Sequence, residues 1–178
     1  RNFHLGLQGA GSDITFPMRV DLLTALAHEG NVAAMVTLGG VYRKAGKIRK
    51  SIVWFEMAAK KENKNACAVL ARILLTGNDG RMNPNVAQGI KWLRKAAELG
   101  DVRSMNGLGE YIIKGEVKGI KPEEGVKWIT KAADNGLASA QTNLGRMYIN
   151  GDLMGQDFPK AKKWLQMAAR QNFHRAQF

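Results

Sequence analysis

One stretch constrains this chain more than any other feature: Trp92-Leu93-Arg94-Lys95-Ala96-Ala97-Glu98-Leu99-Gly100. It returns as Trp128-Ile129-Thr130-Lys131-Ala132-Ala133-Asp134-Asn135-Gly136 and as Trp164-Leu165-Gln166-Met167-Ala168-Ala169-Arg170-Gln171-Asn172, and more loosely from Trp54 to Lys60. All four tryptophans lie here, spaced 38, 36 and 36 residues apart. Self-similarity at a fixed period of this length marks a stacked architecture, in which each unit buries its apolar face against the next.

A second motif precedes each tryptophan and fixes the register: Leu38-Gly39 with Tyr42, Leu70-Ala71 with Leu74, Leu108-Gly109 with Ile112, and Leu144-Gly145 with Tyr148. In three copies a glycine (Gly77, Gly115, Gly151) follows seven residues after the leucine. A helix ending at a left-handed glycine is expected there. Each repeat is therefore predicted to be one helical hairpin. The small residue after the leucine lets its two helices approach closely, and Pro84, Pro122 and Pro159 punctuate the start of second helices.

The pattern Ala140…Leu144-Gly145…Tyr148…Gly151…Ala161…Trp164…Ala168-Ala169, recurring about every 36 residues, resembles the Sel-one-like repeat, a longer-looped relative of the tetratricopeptide repeat. The resemblance covers roughly residues 31 to 178 and implies an all-α fold, a right-handed α-α superhelix of antiparallel hairpins. It also implies a scaffold or adaptor that catalyses nothing. The domain division expected is a poorly ordered lead-in at 1–17, in which Phe3, Leu5, Ile14 and Phe16 could pack on the first helix, and a helical domain at 18–178. The domain divides into a partial, capping repeat at 18–30, four repeats at about 31–64, 65–100, 101–136 and 137–172, and the start of a further repeat at 173–178. The first copy departs from the pattern: 16 residues separate Leu38 from Trp54, against 20 in the last two copies, so its connecting loop is expected to be short.

Relatives of the tetratricopeptide class line their concave groove with the first helix of every hairpin. Carried through the leucine register, the resemblance assigns that groove to Arg43 and Lys44, Asn65 and Arg72, Arg103, Asn106 and Lys114, then Asn143, Arg146 and Asn150. Thr37, Gly40, Ala68, Leu75, Glu110, Ile113, Ser139 and Thr142 accompany them. Guanidinium forks suit carboxylates, and amides grip a peptide backbone through donor and acceptor together. An acidic or extended protein segment is thus the expected partner. The carboxylate clamp of the chaperone-tail relatives is not carried over, because Gly107 has no side chain where the clamp needs one.

Charge points the same way and adds an alternative. The formal net charge is +12. Eight bases and two acids fall between Arg43 and Lys64, including a basic patch of Lys47, Arg49, Lys50, Lys60, Lys61 and Lys64. Such concentration favours something acidic. Nucleic acid or another polyanion is the second choice, since the aromatic residues follow the repeat register and are expected in the core rather than free for base stacking. Residues 101–136 hold six bases and six acids, a neutral hairpin that interrupts any continuous basic track.

No run of apolar residues is long enough to cross a bilayer. The chain opens on Arg1 rather than Met, so its start is expected to be processed or to continue a longer sequence. The lone Cys67 excludes an intramolecular disulfide, including the hairpin staples of some secreted members of the resembled family, and its place between Ala66 and Ala68 is that of a small residue at a packing seam. His4, His28 and His174 stand apart with no partner at metal-ligand spacing, so neither metal nor cofactor is expected. Glu123 and Glu124 diverge by about 100° around a helix and suit the positive end of its dipole better than paired acid–base chemistry.

Overall fold

The computed structural model describes residues 16–80 and 82–175, which form a succession of helices with no strand. In order these are α1 (Phe16–His28), α2 (Val32–Lys44), α3 (Ile48–Lys60), α4 (Lys64–Gly80), α5 (Val86–Glu98), α6 (Val102–Ile113), α7 (Pro122–Asp134), α8 (Ala138–Asn150) and α9 (Phe158–Arg175). Each packs chiefly against its sequence neighbours, as expected of a linear stack. The pairs α2–α3, α4–α5, α6–α7 and α8–α9 are the four hairpins. The first has the short connection, residues 45–47, whereas 114–121 and 151–157 join the last two.

Local chemistry explains where the helices begin. Asn31, Asn63 and Asp101 accept hydrogen bonds from the backbone N–H groups of Ala34, Ala66 and Ser104, capping α2, α4 and α6. Asn85 and Asp157 cap α5 and α9 in the same way, and Pro122 opens α7 with Glu123 and Glu124 in its first turn.

Inside each hairpin, contact depends on missing side chains. A Cβ on Gly109 of α6 would stand 2.6 Å from the Gly125 carbonyl oxygen of α7 and 2.6 Å from Ile129 Cγ1. The helices cross there backbone to backbone, closer than any side chain permits. At Gly77 the backbone turns left-handed as predicted (φ 63°), although α4 extends to Gly80. The chain doubles back beneath it, with Met82 N–H donating to the Gly77 carbonyl.

Between hairpins, the paired alanines serve as the seam. Ala58, Ala59, Ala96, Ala97, Ala132 and Ala133 are buried, with Leu38, Leu70, Leu108 and Leu144 beside them. The side chain of the next first helix reaches the second alanine of the pair: Cys67 Sγ lies 3.8 Å from the Ala59 carbonyl, and Gln141 Nε2 donates to that of Ala133. In the last hairpin Ala168 is buried but Ala169 is exposed. The tryptophans pack on the core without entering it fully; all four are half-buried. His28 meets Trp54 edge-on, and Lys131 and Lys163 lie over Trp128 and Trp164.

Both ends refine the expected division. The helix that precedes the first hairpin starts at Phe16, two residues inside the expected lead-in, and residues 1–15 lie outside the described ones. Helix α1 buries Ala27 against α2 and leaves Met18 and Leu22 exposed beside Arg19 and Asp21. At the other end, residues 173–175 continue α9 rather than opening a new helix. Asn172 stands in the register of Gly100 and Gly136, which turn left-handed with φ of 88° and 83°, and without glycine the helix runs on. Residues 176–178 lie outside the described residues.

Candidate functional site

The first helices α4, α6 and α8 lie side by side with hollows between them. A hollow of about 700 Å³ between α4 and α6 is lined by Asn65, Ala68, Arg72, Leu75 and Arg103, all assigned to the groove from sequence. Two more, about 400 and 560 Å³, lie between α6 and α8. Glu110, Ile113, Lys114, Asn143, Arg146 and Asn150 line one, and Arg103, Asn106, Ser139 and Thr142 line the other. The assigned residues of three repeats thus come together along one surface.

Their chemistry differs between the two halves. Between α6 and α8 the floor is a polar bridge: Asn106 Nδ2 donates to Glu110 Oε1 at 2.7 Å, and Asn143 Nδ2 donates to the same oxygen at 2.8 Å and to Asn106 Oδ1 at 3.2 Å. Asn106 is buried. These amides therefore hold one another and a carboxylate, rather than standing free for a ligand. Between α4 and α6 the matching positions are Ala68, Arg72 and Gly107, which form no such bridge. There, among the described residues, the acid on the wall is Asp101, whose carboxylate is occupied as the α6 cap.

Among the described residues the ion pairs are Lys95–Glu62, Lys127–Glu124 and Lys160–Asp157. Arg72, Arg103 and Arg146, all exposed, belong to none of them. Arg146 shares its hollow with Glu110 and Asp152, and Arg72 and Arg103 share theirs with Asp101, without an ion-pair contact to them among the described residues. Guanidinium groups placed this way attract anionic groups and shape the approach of a ligand.

The first repeat and the basic patch are arranged differently. Arg43 and Lys44 sit in the last turn of α2, where they suit the helix dipole. Arg43 is half-buried, and its Nε is enclosed without a hydrogen-bond partner. Lys47, Arg49 and Lys50 cluster at the start of α3, Lys60, Lys61 and Lys64 at its end and beyond, so the patch divides into two groups separated by about 15 Å of helix. Lys50 lies over the Tyr42 ring. Lys64 alone reaches the groove, lining a hollow with Asp101 and Arg103. At the back of the stack, Glu62 and Lys95 join the first and second hairpins at 2.6 Å, the shared hydrogen bond lowering the carboxyl pKa and raising that of the amine.

Sequence register missed Leu93, Tyr111 and Gln171, which also line the hollows. Leu93 belongs to a second helix and shows through only because Gly107 leaves it uncovered; the glycine was the available signal. Burial pushes the Tyr111 hydroxyl above its ordinary pKa, with Glu116 and Glu110 adding to the rise, so it remains a neutral donor beside the arginines. Among the described residues no group of His, Cys, Asp and Glu is arranged to hold a metal ion, and no helix is long and apolar enough to cross a membrane.

Comparison with known proteins identifies the repeat. The Sel1 repeat model matches four times in succession, at residues 33–63, 64–101, 102–137 and 138–173, once per hairpin. The chain belongs to the Sel1 repeat family. Sel1 repeats generally serve as non-catalytic scaffolds for protein–protein interaction. The similar solved structures include a protective antigen of uropathogenic Escherichia coli with an SLR fold, at 29% identity and a TM-score of 0.73, matched over 85% of this chain and 33% of the antigen. A Sel1 repeat protein from Oxalobacter formigenes aligns with a TM-score of 0.76 at 21% identity, over 86% of this chain and 65% of its own. An immunity protein from Pseudomonas aeruginosa is 26% identical with a TM-score of 0.52, over 85% and 56%. This chain thus spans a third of the antigen and less than two thirds of the other two. No curated protein is similar enough to count as a match.

Proposed function

We propose that this Sel1 repeat chain is a non-catalytic adaptor that binds an acidic, extended polypeptide segment along the groove formed by α4, α6 and α8. The observation that supports this most is the row of Arg72, Arg103 and Arg146, which line hollows yet lack a carboxylate partner among the described residues. An arginine already paired would exchange one partner for another at little gain. An unpaired one gains a charge-assisted hydrogen bond of about 1.5–3 kcal/mol. Glu110 tunes the row, since it keeps a carboxylate between the second and fourth repeats and so favours acids in the α4–α6 half.

The test replaces Arg72, Arg103 and Arg146 together with Glu and measures capture of partners from lysate, with and without nuclease and across a salt series. The proposal expects a polypeptide retained after nuclease treatment and lost by the variant, each arginine contributing roughly tenfold or more in affinity. Capture unchanged in a normally folded variant refutes the groove. Capture that disappears with nuclease and falls steeply with salt would transfer the function to polyanion binding; the division of the basic patch into two groups argues against that second reading.

A further inference from the structure

The repeats provide an internal comparison. Between the third and fourth, equivalent positions hold Asn106, Glu110 and Asn143, which bond to one another across the helices, with one hollow on either side of the bridge. Between the second and third they hold Ala68, Arg72 and Gly107, and one undivided recess of about 700 Å³ runs between the helices. At its base, a Cβ on Gly107 would lie 3.7 Å from Leu93 Cδ1, so the recess floor is the leucine side chain itself. Ala68, Leu75 and Leu93 make this floor apolar, and Arg72 and Arg103 stand on its two walls. An acid alone would satisfy the walls and leave the floor wet. An apolar residue alone would leave the cations unpaired.

From this we infer that the ligand is an acidic peptide with an apolar anchor: one aliphatic side chain enters the recess over Gly107 and Leu93 while neighbouring carboxylates pair with Arg72 and Arg103. The inference rests on the proposed groove and names the residue that sets its specificity. Gly107 is the gate. The second repeat carries Val69 in the same register, so a valine there is compatible with the helix.

Fluorescence polarisation with short labelled peptides tests it. In one, Glu and Gly alternate around a central Leu; a second has a central Ser; a third has Gln in place of every Glu around a central Leu. The Glu/Leu peptide is expected to bind roughly tenfold or more tighter than the Glu/Ser peptide, since burying a leucine is worth that much. Gly107→Val is expected to reduce this preference below about twofold. If both acidic peptides bind the parent chain equally, the recess is not a specificity pocket, and the groove reading survives. If neither binds better than the Gln peptide, the groove reading fails and this inference with it. Should circular dichroism show that Gly107→Val is unfolded, Gly107→Ala, whose methyl meets only ordinary contacts, must at least halve the preference; an unchanged preference overturns the inference.

Discussion

Replacing Gly109 by alanine should weaken the stack even though alanine is the better helix former. Two terms oppose. In a helix interior alanine is favoured over glycine by about 0.5–1 kcal/mol. Against that, the new Cβ would sit 2.6 Å from both the Gly125 carbonyl oxygen and Ile129 Cγ1, and 3.2 Å from the Ile129 nitrogen. Backbone atoms cannot swing away as a side-chain tip can, so α6 and α7 must part, and overpacking of this kind costs about 1–3 kcal/mol. Gly40 in α2 is the control, because a Cβ there has nothing within 4 Å. The propensity term is common to both variants, so their difference isolates the packing term. Gly40→Ala should raise the melting temperature, and Gly109→Ala should melt about 2–12 °C below it, taking 2–4 °C per kcal/mol for a chain of this size. Thermal and urea unfolding followed by far-UV circular dichroism and tryptophan fluorescence would measure this, with coincident transitions required before energies are compared. Equal stability of the two variants would refute the claim that the hairpin depends on backbone contact at Gly109.

Leu153 is exposed yet holds a left-handed backbone with φ 60°; Leu153→Gly should relieve that strain and stabilise by about 1 kcal/mol, read as a higher melting temperature. The Cys67 thiol is buried and its pKa is raised by that burial, so a thiol reagent at about pH 8 should leave the native chain unlabelled and modify it once unfolded in urea. Asp157 is held below the ordinary carboxylate range by the Lys160 backbone N–H first and its ammonium second. A depressed carboxyl stabilises at pH above its unfolded value and loses that contribution as pH falls through its folded one, so the start of α9 should fray only below about pH 4. The Lys160 amide resonance should titrate with a midpoint below the ordinary Asp value, and the titration should vanish in Asp157→Asn; a midpoint at or above that value would contradict the assigned contacts.

The hairpins and their register could be read from sequence because every position is written four times, and the leucine, small-residue and glycine signals each have a local physical cause. The groove assignment rested on the same register, and three repeats bring those residues onto one surface. What escaped was tertiary. That Asn106 and Asn143 bond to each other depends on bringing residues 37 apart in sequence within 3.2 Å, which no periodicity encodes. The basic patch was grouped by its nearness in sequence, but residues 51–59 between Lys50 and Lys60 carry no base, and helix α3 holds its two groups apart. The tryptophans follow core register, but their large rings overrun it and stay half-buried. At Asn172 the repeat template suggested a stop, while the residue itself permitted the helix to continue.

The polar bridge of Asn106, Glu110 and Asn143 has a mechanical meaning. It cross-links neighbouring turns of the spiral by directional bonds, whereas the next joint toward the amino terminus presents on the same face Gly107, Ala68 and Arg72, which has no ion-pair partner among the described residues. The α4–α6 joint shows no such tie on its groove face among the described residues, so a ligand that engages Arg72 and Arg103 together would supply the cross-link that the α6–α8 joint carries within the chain.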